Sequence, residues 1–109
     1  MLHLDPPDPI VRLASATNAG DTVAFLAVLS PDVYVNDWGR EFRGHTGAAS
    51  WNETDNIGVG AQITLGETRR GDAEDDWVVD VNVRSHRFNG AGTFTLTIKD
   101  GLITRLITG

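Results

Sequence analysis

Val33-Tyr34-Val35-Asn36-Asp37-Trp38-Gly39-Arg40-Glu41-Phe42-Arg43-Gly44 is the stretch from which the fold follows. It predicts a strand, a tight turn and a second short strand, with a carboxylate and an indole at the bend. Side chains alternate along a strand, so Val33, Val35 and Asp37 share one face. Two valines put that face inside, and Asp37 then points with the core at the strand's open end. A carboxylate that enters an apolar chamber is either paired or chemically active.

Upstream, Asp8-Pro9 marks a helix start, with Asp as N-cap and Pro at the first helical position, where its missing N–H costs nothing. The spacing of Ile10, Leu13, Ala14 and Thr17 predicts a helix from Pro9 to about Asn18, closed by Gly20. Asp21 is placed to cap a second helix, Val23-Ala24-Phe25-Leu26-Ala27-Val28-Leu29. Being apolar on nearly all sides, it is expected to be buried. Ser30-Pro31-Asp32 is expected to stop it. Downstream, Thr46 is expected to cap a third helix from Gly47 to about Asn56, with Ala48, Trp51 and Asp55 on one stripe.

From Ala61 onward the pattern is strand and turn. Ala61, Ile63 and Leu65 alternate with polar neighbours, as do Trp77, Val79, Val81 and Val83, then Phe94, Leu96 and Ile98. A bend is expected at Asn89-Gly90-Ala91-Gly92, and Asp100-Gly101 is a strong two-residue hairpin signal. Helices in the N-terminal half followed by a meander make an α+β fold, three helices on one face of a strongly curved, mainly antiparallel sheet. The Thr-, Asn- and Asp-rich face of that sheet then meets water or a second copy.

Composition narrows the function classes. At 109 residues the chain makes one domain with a single core. The net charge of −6 disfavours nucleic acid and anionic membrane surfaces, which demand a basic face. No apolar run is long enough to span a bilayer. Met1 to Pro9 carries neither a basic region nor an apolar core, so no signal peptide is expected. The absence of cysteine excludes disulfides and Cys-based zinc sites, and fits a cytoplasmic protein. Asp72-x-Glu74-x-Asp76 imitates a calcium loop, but Trp77 stands where that loop needs Gly. The histidines have no ligand spacing, so neither a metal nor a cofactor is called for.

Asn18-Ala19-Gly20-Asp21, Leu29-Ser30-Pro31-Asp32, the segment Asp37 to Gly44 and the ending Phe94 to Arg105 together resemble the NTF2-like superfamily. Within it the sequence is most similar to the SnoaL-like group of small bacterial proteins. The resemblance covers nearly the whole chain. It implies a cystatin-like cone around a pocket, a frequent homodimer, and a fold that hosts isomerases, cyclases, hydrolases and non-catalytic binders alike.

Asp37 matches the general-base aspartate of ketosteroid isomerase. That enzyme's oxyanion tyrosine would fall at Leu13 and its protonated aspartic acid near Thr93 or Thr95, so steroid isomerisation is not expected. The parts of limonene epoxide hydrolase are missing too, since Val35 and Val78 stand where its mechanism needs polar groups. The polyketide cyclases of the group use a carboxylate acid/base with few other residues, which this chain has.

The expected partner is therefore a small apolar molecule, acted on or merely bound without a cofactor. Asp37 is the candidate catalytic acid/base, its pKa raised by desolvation. The alternative is a turn aspartate that accepts backbone N–H groups or pairs with Arg40 or Arg43. Trp38, Phe42 and Trp51 are candidate pocket walls, and Val35, Arg40 and Asp55 candidate ligand contacts. Glu53 or Asp55 is placed to be a second carboxylate. Arg40 and Arg43 are candidates to meet an anionic group at the mouth, against ordinary surface pairing. His45 and His86 are expected outside the core. A third reading is a dimerising scaffold whose chamber is filled by its own side chains.

Overall fold

The computed structural model describes residues 4–109; Met1, Leu2 and His3, on which part of the signal-peptide expectation falls, lie outside the described residues. Helix α1 (Asp8–Ala19) starts one residue earlier than expected, with Pro7 as N-cap. Asp8 does not cap; it sits in the first turn and pairs with Arg12 Nε at 2.8 Å, one helical turn on. Gly20, at φ 69°, takes the left-handed conformation that ends the helix.

Helix α2 (Thr22–Ala27) is capped by Asp21, whose carboxylate accepts the Ala24 N–H at 3.0 Å. It is shorter and far less buried than its composition implied. Phe25 is fully buried, but Val23 is 81% exposed. The helix ends early because the chain is drawn into strand β1 (Leu29–Asp37). Ile103 N–H donates to the Val28 carbonyl at 2.9 Å, and Leu29 pairs with Ile103. Ser30-Pro31-Asp32 therefore belongs to the strand, in the irregular part of its ladder between Leu29 and Tyr34. Pro31, with no N–H to give, fits that break.

After β2 (Arg40–Arg43), helix α3 (Gly44–Asp55) begins three residues before the expected Gly47. Gly44, at φ 67°, makes the corner, and no side chain caps the helix, so Thr46 is not its cap. Ala48 and Trp51 are buried, as their stripe required. A short 3₁₀ turn, Ile57–Val59, leads into β3 (Gln62–Arg70), β4 (Asp76–Arg84), β5 (Asn89–Lys99) and β6 (Leu102–Thr108). Asn89 to Gly92 is the start of β5 and not the expected bend. The turn lies at Ser85–Phe88, where Ser85 Oγ accepts the N–H groups of Arg87 and Phe88 at 3.1 and 2.8 Å.

The six strands form one open sheet in the order β2-β1-β6-β5-β4-β3. Only β1 and β6 run parallel. The ladders are broken between Leu65 and Thr68 and between Thr97 and Ile98, irregularities of the kind that bend a sheet and reset its alternation. Thr68 and Thr97 are buried as a result.

All three helices supply the core on the inner face. Ile10, Leu13, Phe25 and Ala48 join Val33, Val35, Val79, Leu96 and Leu106 in one cluster, and the Phe25 and Trp51 rings stack at 6.2 Å. Register across five strands then lines up Arg40, Asp37, Thr108, Phe94 and Val79 in one row. The open end of β1 is thereby tied to the sheet centre. Among the described residues no helix is long and apolar enough to cross a membrane.

Candidate functional site

A cavity of about 290 Å³ lies between α3 and the inner face of the sheet, beside the β1–β2 turn. Its floor is apolar: Ile63 of β3, Val81 and Val83 of β4, and Phe94 of β5. Gly92 helps to make the space. It shares the inward face with Phe94 and lies opposite Val81, and a Cβ built there would come no closer than 3.9 Å to that valine. No crowding demands glycine here, and any larger side chain would stand in the cavity.

The rim is polar and comes from four separate segments. Asp37, Trp38 and Arg40 come from the first hairpin and Asp55 from the end of α3. Arg87 and Phe88 come from the β4–β5 turn, and Thr108 from the end of β6. Trp38 and Gly39 form the hairpin turn with φ 53° and 89°, the paired left-handed residues of a type I′ turn. Asn36 Oδ1 accepts the Gly39 N–H at 2.8 Å and steadies it. The Trp38 indole is left 76% exposed at the rim.

Asp37 is not the free, desolvated carboxylate that alternation alone implied. Its Oδ1 accepts from Thr108 Oγ1 at 2.6 Å and its Oδ2 from Trp51 Nε1 at 3.1 Å, while Arg40 Nη2 pairs with the same Oδ2. Three donors converge on it.

Asp55, with a side chain only 5% exposed, is the second carboxylate. Its Oδ1 takes Arg40 Nη2 at 2.8 Å and Arg87 Nε at 2.9 Å, and its Oδ2 accepts from Thr54 Oγ1 at 2.6 Å. Burial pushes this carboxyl up. The hydrogen bonds from Arg40 and Thr54 and the charges of Arg40 and Arg87 outweigh that and hold it below the usual range. The bond to Asp55 in turn raises the Arg40 guanidinium, against a smaller opposing effect of burial. Two carboxylates and two guanidiniums thus form one chain: Asp37, Arg40, Asp55, Arg87.

Asp37, Trp38, Arg40, Trp51 and Asp55 are brought together around the cavity. Val35 and Phe42 are not among its lining residues. Val35, two residues deeper on the strand, is fully buried in the core. Phe42 is half-buried outside the cavity, its ring under the Arg40 guanidinium at 5.7 Å. Arg43 faces away, stacked over Tyr34 at 4.7 Å, and Glu53 is exposed. His45 and His86 are exposed, and His45 Nε2 lies 3.0 Å from the Leu29 carbonyl. Sequence reasoning missed Gly92, Arg87 and Phe88. The parity of Gly92 with Phe94 and Leu96 was a usable signal, whereas nothing near Arg87 in the sequence points to Asp55.

No protein-family model and no curated protein matches the chain. Solved structures do. A candidate polyketide cyclase from Sinorhizobium meliloti is 26% identical, with 100% of each chain covered and a TM-score of 0.86. A Mycobacterium tuberculosis protein in complex with estradiol-17β-hemisuccinate is 19% identical, covering 92% of this chain and 88% of that one, TM-score 0.77. The Δ5-3-ketosteroid isomerase of a Mycobacterium species is 22% identical, covering 93% and 88%, TM-score 0.76. The chain shares with them a fold of three helices packed on an open mixed sheet. That fold is shared with NTF2-like proteins, as the sequence resemblance implied.

Proposed function

We propose that the chain binds one small, largely apolar molecule in this cavity, with the molecule's polar end at the Asp37 rim. The observation that carries this is the division of the lining: an apolar floor of Ile63, Val81, Val83 and Phe94 beneath a single polar rim. Pockets for small molecules are built this way, and a volume of about 290 Å³ sits at the small end of their range. The empty cavity speaks against a chamber filled by its own side chains.

A titration with N-phenyl-1-naphthylamine, whose fluorescence rises in apolar surroundings, tests the reading. Gly92→Leu should weaken dye binding at least about tenfold while the thermal midpoint stays near that of wild type. Equal affinity of the two proteins refutes it.

Proton transfer by Asp37 is the second reading, favoured by its place in the lining and by the isomerase and cyclase among the structural neighbours. It ranks second because three donors already converge on Asp37, and Leu13 is plain core. Deuterium wash-in at the α-carbon of 2-tetralone, abolished in Asp37→Asn, would promote it; no wash-in by wild type removes it for that substrate class.

We also assign the outer face of the sheet to a second copy. Val78, Thr95 and Ile107 lie half-exposed there in one cross-strand row. Light scattering at micromolar concentration should give about twice the single-chain mass of 11.8 kDa. A monomer mass removes the assignment.

A further inference from the structure

Among the charged groups of the rim, the carboxylates are engaged and the guanidiniums have N–H donors to spare. Each carboxylate oxygen is engaged: Asp37 Oδ1 by Thr108, Asp37 Oδ2 by Trp51 and Arg40, Asp55 Oδ1 by both arginines, and Asp55 Oδ2 by Thr54. The guanidiniums are not. Arg40 uses Nη2 alone for both carboxylates, and Arg87 meets Asp55 through Nε alone. Arg40 Nε and Nη1 and Arg87 Nη1 and Nη2 have no hydrogen-bonding or ion-pair partner among the described residues. A guanidinium carries five N–H donors and accepts nothing, so what the charged groups of this rim leave free is cationic N–H.

Geometry sharpens the point. Arg40 and Arg87 come from different turns yet touch the same Asp55 oxygen, so the two guanidiniums are neighbours at the mouth. Their side chains are 46% and 57% exposed, open to a ligand from outside. Charge agrees. The rim carries two acids and two bases, so the whole excess of −6 lies elsewhere on the chain. Beside the two arginines, Trp38 and Phe88 stand exposed where they would cover an apolar body that protrudes from the cavity.

We infer that the ligand is an amphipathic acid, its apolar body in the cavity and one anionic oxygen group held between Arg40 and Arg87. This rests on the small-molecule reading above and adds the chemistry of the ligand's polar end. Arginine suits the task because its planar fork matches oxyanions and it holds its charge.

Two dyes with the same body separate the proposal from its parent. 8-Anilinonaphthalene-1-sulfonate is N-phenyl-1-naphthylamine with an added sulfonate. Wild type should bind the sulfonate at least about fivefold more tightly, and that margin should shrink as NaCl is raised. Arg40→Gln and Arg87→Gln should each remove most of the margin, read as the ratio of the two dyes' affinities for the same variant. Arg105→Gln, an exposed arginine outside the cavity, should leave both affinities unchanged and so controls for net charge.

Equal affinities for the two dyes, or a margin untouched by Arg40→Gln and Arg87→Gln, overturn the acid-end proposal and leave the pocket reading standing. Failure of both dyes to bind overturns both. Displacement of the sulfonate dye by 1-naphthaleneacetate but not by 1-naphthyl phosphate assigns the group as a carboxylate. The reverse assigns a phosphate, and displacement by neither overturns the proposal.

Discussion

Asp55→Asn is the perturbation whose outcome the structure specifies most fully. The substitution keeps shape and one acceptor but removes the charge on which Arg40 and Arg87 converge. Both arginines are about half exposed, so each pair falls in the weak range, roughly 0.5–1 kcal/mol. The Thr54 bond to Asp55 adds about 1 kcal/mol, part of which an amide oxygen retains. The expected cost is about 2 kcal/mol at pH 7. With roughly 2.1 cal/mol/K of unfolding entropy per residue over 109 residues, that lowers the thermal midpoint by about 9 °C.

The pH dependence follows from the depressed folded pKa of Asp55. The unfolded carboxyl titrates near ~3.9, so above that value the ionised, paired form gives its full stabilisation. As pH falls through the lower folded value the side chain protonates in both states and the contribution disappears. Midpoints of wild type and Asp55→Asn, followed by circular dichroism, should therefore lie furthest apart at pH 7 and draw together towards pH 3. An equal gap at both pH values, or an Asn variant more stable at pH 7, would refute the pairing argument.

Asp37→Asn should cost about 1.5–3 kcal/mol at pH 7, because it discharges a side chain on which three donors converge, one of them charged. Urea denaturation reads this, and a gain in stability would mean that desolvation outweighs the pairing. Trp38→Asn should stabilise the fold by about 1 kcal/mol, since Trp38 holds φ 53° with its ring 76% exposed and asparagine tolerates that region better. A lower midpoint would show that the indole packs for the fold. Phe25→Ala, in contrast, should cost about 3–5 kcal/mol, as this fully buried ring also stacks on Trp51; a loss under about 1 kcal/mol would remove α2 from the core.

Local signals were legible wherever the physics that uses them is local. The φ requirements of Gly20 and of Asp100-Gly101 were visible as residue types, and the structure has both, with Asp100 and Gly101 at φ 53° and 78°. Asp21 caps α2 with its own side chain. Alternation placed Val33, Val35, Val79 and Leu96 in the core, because a period of two survives as long as the ladder is regular. It failed where the ladder breaks. Leu29 passed for a helix residue because its partner, Ile103, is a non-local parallel contact. Thr97 turned inward at an irregularity and meets Asp76 Oδ1 at 2.6 Å, which parity alone had put outside.

The site divides along the same line. Its floor consists of strand residues that an alternating pattern reveals, and the direction of Asp37 followed from Val33 and Val35 on its own strand. Its rim depends on pairings that no window of sequence contains. Thr108 reaches Asp37 from 71 residues away, Trp51 from 14, and Arg87 meets Asp55 across the mouth. Hydrophobic period fixes the floor, and charge pairing between chain segments that meet only after folding fixes the rim. Rim side chains such as Arg40, Arg87 and Trp38 are substantially exposed, so they can change with small effects on stability, whereas Val81 and Phe94 beneath them cannot. One pocket architecture can therefore carry many ligand chemistries, and in this chain the spare donors of Arg40 and Arg87 are where its particular chemistry is written.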